Sequence, residues 1–100
     1  MKLIDARKDY YRKLAHEEGY RSRSSYKLKE LHKSYRIIGV GHYVLDLGCA
    51  PGGWSQVVRQ KILTGKILAV DIKSMEKIDK VFFIKSDLKD PATYKKISQF

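Results

Sequence analysis

Between Val44 and Trp54 the chain reads Val-Leu-Asp-Leu-Gly-Cys-Ala-Pro-Gly-Gly-Trp, a short apolar run that breaks at Gly48 and restarts after two more glycines. From there Trp54, Val57, Val58 and Ile62 recur at helical spacing, so the stretch predicts strand, tight turn and helix. That order commits the chain to an α/β architecture. In open α/β sheets the crevice beyond the carboxyl end of the first strand is where nucleotide-like ligands sit.

What the turn lacks narrows the ligand. A phosphate-binding P-loop needs a lysine and a hydroxyl directly after its last glycine, whereas Trp54 and Ser55 follow Gly53. The dinucleotide fingerprint needs a glycine two places after the first so that backbone can approach a pyrophosphate, and that position is Ala50. The turn therefore suits a ligand with an adenosine and a carboxylate but no phosphate, because a helix N-terminus favours an anion. S-adenosylmethionine has that composition. An ordinary strand-turn-helix with glycines for geometry alone is the alternative.

Acids at successive strand ends favour the ligand reading. Lys66 to Val70 predicts a second strand closed by Asp71, about 20 residues beyond the glycine turn, where a carboxylate commonly holds a ribose diol. Val81 to Lys85 predicts a third, closed by Ser86 and Asp87, and Asp87 is placed to accept from the exocyclic amine of adenine. Asp46, inside the first strand, is read either as a brace for the turn amides or as a ligand contact. Each acid alone also fits a plain turn residue; the repetition is what argues for a site.

The chain changes character near Gly39-Val40-Gly41. Residues 1–40 predict a basic helical leader, and residues 41–100 the first part of a cofactor-binding domain. Asp5 to Glu18 reads as a helix stopped by Gly19. Ser24 or Ser25 is expected to cap a second, running to about Tyr35 with Leu28, Leu31 and Tyr35 as its apolar stripe. Asp90-Pro91 starts a last helix, with Tyr94 and Ile97 expected to point inward. Of the formal charge of +10, the leader alone carries +6, and it holds Tyr10, Tyr11, Tyr20, Tyr26 and Tyr35, five of the seven tyrosines. Arg7, Arg12, Arg21 and Arg23 alternate with those rings, a composition suited to RNA phosphates and base stacking. The plainer reading is a solvated helix face with tyrosines in the core.

Other classes are disfavoured. His16, His32 and His42 stand apart without cysteine partners, so no metal site is expected. No apolar run approaches the roughly 20 residues of a membrane span, and no signal-peptide core follows the charged start. The single Cys49 suits a reducing, cytoplasmic setting, and it is read as a small loop residue rather than a reactive thiol.

Three blocks taken together make a family resemblance specific. Tyr10 to Ala15 (Tyr-Tyr-Arg-Lys-Leu-Ala), Gly19 to Leu28 (Gly-Tyr-Arg-Ser-Arg-Ser-Ser-Tyr-Lys-Leu) and Leu45 to Gln56 resemble the opening of the FtsJ/RrmJ family of RNA ribose 2′-O-methyltransferases. The likeness runs from about Ala6 to Asp87. It implies a mixed seven-stranded Rossmann-like sheet with helices on both faces, of which the first three strands lie here. It further implies S-adenosylmethionine as methyl donor and structured RNA as acceptor, with a uridine of large-subunit ribosomal RNA the leading expectation and transfer RNA the alternative.

By the same resemblance Lys27 falls on the first lysine of the family's Lys-Asp-Lys-Glu catalytic set. Gly52, Trp54, Asp71 and Asp87 fall on cofactor contacts, with Gly48 and Gly53 in the same turn. Arg21 and Arg23, with Lys27, are expected on the RNA. A ribose hydroxyl is a poor nucleophile, so a positioned base or a cation beside the developing alkoxide is required. Lys27 is expected to orient the hydroxyl or phosphate from the substrate side. The later aspartate, lysine and glutamate of the set have no counterpart before Phe100, so the chain is expected to be the first half of a longer enzyme, inactive and poorly stable alone. A non-catalytic binding remnant and a different Rossmann-like enzyme remain as alternatives.

Overall fold

The computed structural model describes residues 3–100. Four helices and three strands follow one another as α1 (Leu3–Glu18), α2 (Ser24–Tyr35), β1 (Tyr43–Leu47), α3 (Gly53–Lys61), β2 (Lys66–Asp71), β3 (Phe82–Lys85) and α4 (Pro91–Ser98). The strands form one parallel sheet in the order β1-β2-β3, with Val44 opposite Ile67, Asp46 opposite Ala69, and Ala69 opposite Phe83.

β2 is central among the described strands, which explains its uninterrupted apolar run: Ile67, Leu68, Ala69 and Val70 are all buried, as a parallel strand covered on both faces requires. On one face Val44, Ile67, Ala69 and Phe83 meet Val57 and Val58 of α3 and Leu28 of α2. On the other, Ile97 of α4 and Phe100 just beyond it line a shallow hollow with Leu45 and Leu68, and the Phe100 ring stands edge-on to Phe82 at 4.9 Å. Helices therefore cover both faces, as a Rossmann-like methyltransferase sheet demands. β1 lies at the edge of this sheet and leaves Tyr43, Leu45 and Leu47 largely exposed.

Gly19 stops α1 as expected, with φ +80°. The Tyr20 amide donates to the Ala15 carbonyl at 2.8 Å and the Gly19 amide to His16 at 3.4 Å, the paired bonds of a left-handed helix stop. At the start of α2 the expected serine cap is displaced. Arg23 occupies the cap position without a side-chain bond, and Ser22 Oγ instead accepts from the Ser24 amide at 3.2 Å. Ser25 is buried and donates to the Gly53 carbonyl at 3.0 Å, because α2 lies directly on the first turn of α3. Leu28 is buried, yet Tyr35 is 73% exposed. The two helices start together, but α2 has twelve residues and α3 nine, so at about 1.5 Å per residue the last turn of α2 overhangs its partner.

α4 starts at the predicted Asp90 cap, whose carboxylate accepts from the Ala92 amide at 3.0 Å. Its inward stripe is Thr93 and Ile97, not Tyr94. Thr93 is fully buried and bonded to Ser86 Oγ at 2.6 Å, while Tyr94, one step round the helix, is 60% exposed. Among the described residues no helix is long and apolar enough to cross a membrane.

Candidate functional site

The turn joining β1 to α3 is tied to the end of β2 along its length. The Gly48 and Cys49 amides donate to the Val70 carbonyl at 2.8 and 3.3 Å. The Ala50 amide donates to Asp71 Oδ2 at 2.8 Å, and Asp71 Oδ1 accepts from the Lys73 amide at 3.0 Å. These amide bonds, Lys73 first, hold the Asp71 carboxyl below the ordinary carboxylate range. Gly52 closes the turn at φ +115°, a backbone conformation that strains any residue with a Cβ. Gly53 is required for a different reason: a Cβ there would lie 2.6 Å from Ser25 Oγ, so its bareness admits α2.

Around the turn lies a cavity of about 290 Å³, lined among others by Ser22, Ser24, Asp46, Gly48, Gly53 and Trp54. No side chain caps α3, so its first-turn amides face this end of the structure, where a helix favours negative charge. Asp46 accepts from Ser55 Oγ at 2.6 Å rather than from the turn amides. Burial, reinforced by the Asp71 charge and opposed by the Ser55 bond, raises its carboxyl above the ordinary value. Cys49 is buried in the core, and burial followed by the charges of Asp46 and Asp71 pushes its thiol up to about 11. A thiol in that setting is a packing group.

Trp54 anchors the leader to this site, since its Nε1 donates to the Ser24 carbonyl at 3.0 Å. Ser24 also borders a second, basic groove of about 530 Å³ between α1 and α2, where Arg7, Lys8, Arg23 and Lys27 converge beside Tyr11 and Tyr26. One serine thus belongs to both hollows, and Lys27 stands on the turn of α2 that follows it.

The predicted residues divide accordingly. Gly48, Gly53 and Trp54 line the cavity, Gly52 shapes the turn, and Asp71 grips it from the end of β2. Asp87 sits at the carboxyl end of β3, outside the cavity lining, with Oδ1 accepting from the Lys89 amide at 2.9 Å. Arg23 and Lys27 share the basic groove. Arg21 does not join them: its guanidinium donates to the carbonyls of Pro51, Glu76 and Lys77. Its guanidinium is thereby held at the glycine turn and the connection after β2, apart from the groove lined by Arg23 and Lys27. Most of the leader tyrosines are also engaged internally. The Tyr26 ring meets Tyr11 at a tilt and Tyr20 edge-on, at 5.4 and 5.5 Å between centroids, and Tyr26 donates to Glu18 Oε1 at 2.6 Å. Burial and that carboxylate raise the Tyr26 phenol well above its usual range. Tyr10 and Tyr35 stay mostly exposed.

Sequence reasoning missed Ser22 and Ser24 as cavity residues and Gln56 as a brace. Gln56 Oε1 accepts from the Arg21 amide at 2.8 Å, and its Nε2 donates to the Gly19 carbonyl at 3.1 Å. The signal was available in the Trp-Ser-Gln that follows the glycines, inside the block that carries the family resemblance. Among the described residues no three His, Cys, Asp or Glu side chains are grouped to hold a metal ion. His32 and His42 instead accept backbone amides in the 36–42 connection.

A parallel sheet flanked by helices, with a glycine turn that has no phosphate-loop lysine leading into an uncapped helix, defines a Rossmann-like methyltransferase unit. The family description "FtsJ-like methyltransferase" matches residues 20–100, and the chain belongs to that family. It is 57% identical over 91 residues to the ribosomal RNA large subunit methyltransferase E of Nitrosopumilus maritimus (strain SCM1), covering 90% of this chain and 46% of that protein. Its counterpart of the same name from Cenarchaeum symbiosum (strain A) is 47% identical, over 99% of this chain and 51% of its own length. A Plasmodium falciparum crystal structure assigned as a ribosomal RNA methyltransferase superposes with a TM-score of 0.71 at 35% identity, covering 80% of this chain and 48% of that one. The chain spans about half the length of the curated relatives it matches.

Proposed function

We propose that this chain supplies the donor-binding and RNA-facing part of an enzyme that methylates a ribose 2′-hydroxyl of large-subunit ribosomal RNA, at a uridine, from S-adenosylmethionine. The observation that carries the reading is the shared wall at Ser24: a cavity at the uncapped first turn of α3 and a cationic groove holding Lys27 open beside one another. A methyl donor and a polyanionic acceptor need that adjacency, since transfer requires the two reactants in near contact.

The residues present fit the donor. The uncapped first turn of α3 suits its carboxylate, and the cavity is near the lower end of small-molecule pockets, which span about 300–1,000 Å³. Gly48, Gly53 and Trp54 would hold the methionine end, with Asp71 and Asp87 on the nucleoside side at the ends of β2 and β3. When bound, the donor supplies an activated methyl on a sulfonium. The chain's own contribution is placement: Arg23 and Lys27 fix the ribose-phosphate backbone, and Lys27 orients the hydroxyl or its adjoining phosphate. Names of the relatives support ribosomal RNA as acceptor.

The test uses the full-length protein with tritiated S-adenosylmethionine and undermethylated large-subunit RNA. Label should be recovered as a 2′-O-methylated uridine after nuclease digestion. Label on a base, or transfer to transfer RNA in preference, would overturn the acceptor assignment.

Asp71→Asn is expected to weaken binding of S-adenosylhomocysteine about tenfold by calorimetry, because it loses the charged acceptor for the Ala50 amide; charge-assisted bonds contribute about 1.5–3 kcal/mol, and tenfold is about 1.4 kcal/mol. The depressed Asp71 value sets the pH window. Its tie is complete above the unstructured carboxyl value of about 3.9 and is lost as pH falls through the lower folded value. Wild-type affinity should therefore hold from neutrality down to about pH 4 as far as this group is concerned. Unchanged affinity in the variant would remove Asp71 from the site.

A further inference from the structure

Among the described cations of the leader, Arg21 makes the most main-chain contacts between distant segments. Its Nη1 donates to the Pro51 carbonyl at 3.1 Å and the Glu76 carbonyl at 2.6 Å, its Nη2 donates to Lys77 at 3.0 Å, and its amide reaches Gln56 Oε1 at 2.8 Å. The carbonyls come from two segments, the glycine turn and the 72–80 connection that leaves Asp71. A Cβ built on Gly52 would lie 3.1 Å from Arg21 Nη1 and 2.9 Å from Ile78 Cδ1, so the guanidinium packs directly against the turn's left-handed glycine.

We propose that Arg21 is a positioning residue for the donor site: it clamps the glycine turn to the 72–80 connection and so sets the spacing between the carboxylate end and the ribose end of the ligand. The inference rests on the turn being the donor site. The clamp needs a planar fork, because three carbonyls are satisfied from two guanidinium nitrogens, whereas a lysine ammonium offers one compact centre. Without Arg21 the connection keeps its other anchor. Arg59 Nε donates to the Asp79 carbonyl at 2.9 Å and its Nη2 pairs with the Asp79 carboxylate at 3.1 Å, and Ile78 stays in the core. The loss is thus local to the turn and the near end of the connection.

Arg21→Ala and Arg21→Lys in the full-length protein separate this role from a phosphate contact. Both should raise the Kd for S-adenosylhomocysteine about tenfold, and the KM for donor similarly, with kcat at saturating donor within about threefold. The slope of log affinity for RNA against log salt should stay at the wild-type value in both, whereas Arg23→Ala should reduce it by nearly one unit. Lysine keeps the charge, so it would rescue a phosphate contact but not the clamp; if the alanine variant fails to fold, the lysine variant alone decides. Unchanged donor affinity in Arg21→Lys, or a reduced salt slope in Arg21→Ala that lysine restores, would overturn the proposal. A wild-type protein that does not bind S-adenosylhomocysteine would instead bring down the donor-site reading beneath it.

Discussion

Lys27→Ala in the full-length protein is expected to lower methyl transfer about a hundredfold or more while leaving S-adenosylhomocysteine affinity within twofold. The split follows from where the residue stands. Lys27 projects from α2 into the basic groove with Arg7, Lys8 and Arg23, and it does not line the cavity under α3. The donor therefore loses nothing directly, whereas the acceptor loses one of the cations that line the groove beside the shared Ser24 wall. Positioned acid-base groups contribute about 10²–10⁴-fold, and single charge-stabilising donors about 10²–10³-fold. Arginine at the same place keeps the charge but enlarges and flattens the head, so it should recover RNA affinity more than turnover. The measurement is single-turnover transfer with calorimetry on the same preparations. Equal turnover in Lys27→Ala would make the residue surface charge and move the chemistry elsewhere.

Legibility in the sequence followed the range of the interaction. Elements governed by neighbours along the chain were readable: the Gly19 stop, the Asp90-Pro91 start and the buried run of β2 all declare themselves within a few residues. So did the glycine turn, because its missing lysine and its Ala50 are local facts. What escaped depends on groups far apart. The bonds of Arg21 span 30, 55 and 56 residues, so an arginine set among serines and tyrosines reads as free charge until the fold brings three carbonyls to it. Ser25 reaches Gly53 across 28 residues, which turns an apparent cap into a packing contact. The misplacement of Tyr94 has another cause. Thr93 and Tyr94 differ by one step of about 100° round the helix, and a buried threonine whose hydroxyl meets Ser86 Oγ and the Asp87 carbonyl outcompetes a larger ring whose phenol would need its own partner. Composition could not have decided that, because it ranks rings above hydroxyls without counting partners.

The largest stability effect is expected away from the ligand, at Gly65. A Cβ there would stand 1.8 Å from the His42 carbonyl oxygen and 2.7 Å from its carbon, so the obstacle is backbone, which cannot rotate aside as a side chain can. Both neighbours are already fixed. Tyr43 and Lys66, the next residue on each side, open the β1–β2 ladder as register partners. The Leu63 and Thr64 amides both donate to the Val40 carbonyl, at 2.8 and 3.0 Å. Gly65→Ala must therefore part the start of the two strands or release the 63–64 bonds. Overpacking costs about 1–3 kcal/mol, occasionally more, and the rigid obstacle puts this site at the upper end, about 3 kcal/mol. Gly48→Ala is the useful comparison, because a Cβ there meets nothing within 4 Å and only the φ of +73° opposes it, for about 1–2 kcal/mol. Urea unfolding of the full-length protein should thus rank Gly65→Ala below Gly48→Ala in midpoint, with donor affinity of the folded fraction retained in the former. The reverse order would mean that strain in the turn, rather than contact between the strand starts, limits the stability of this half of the sheet.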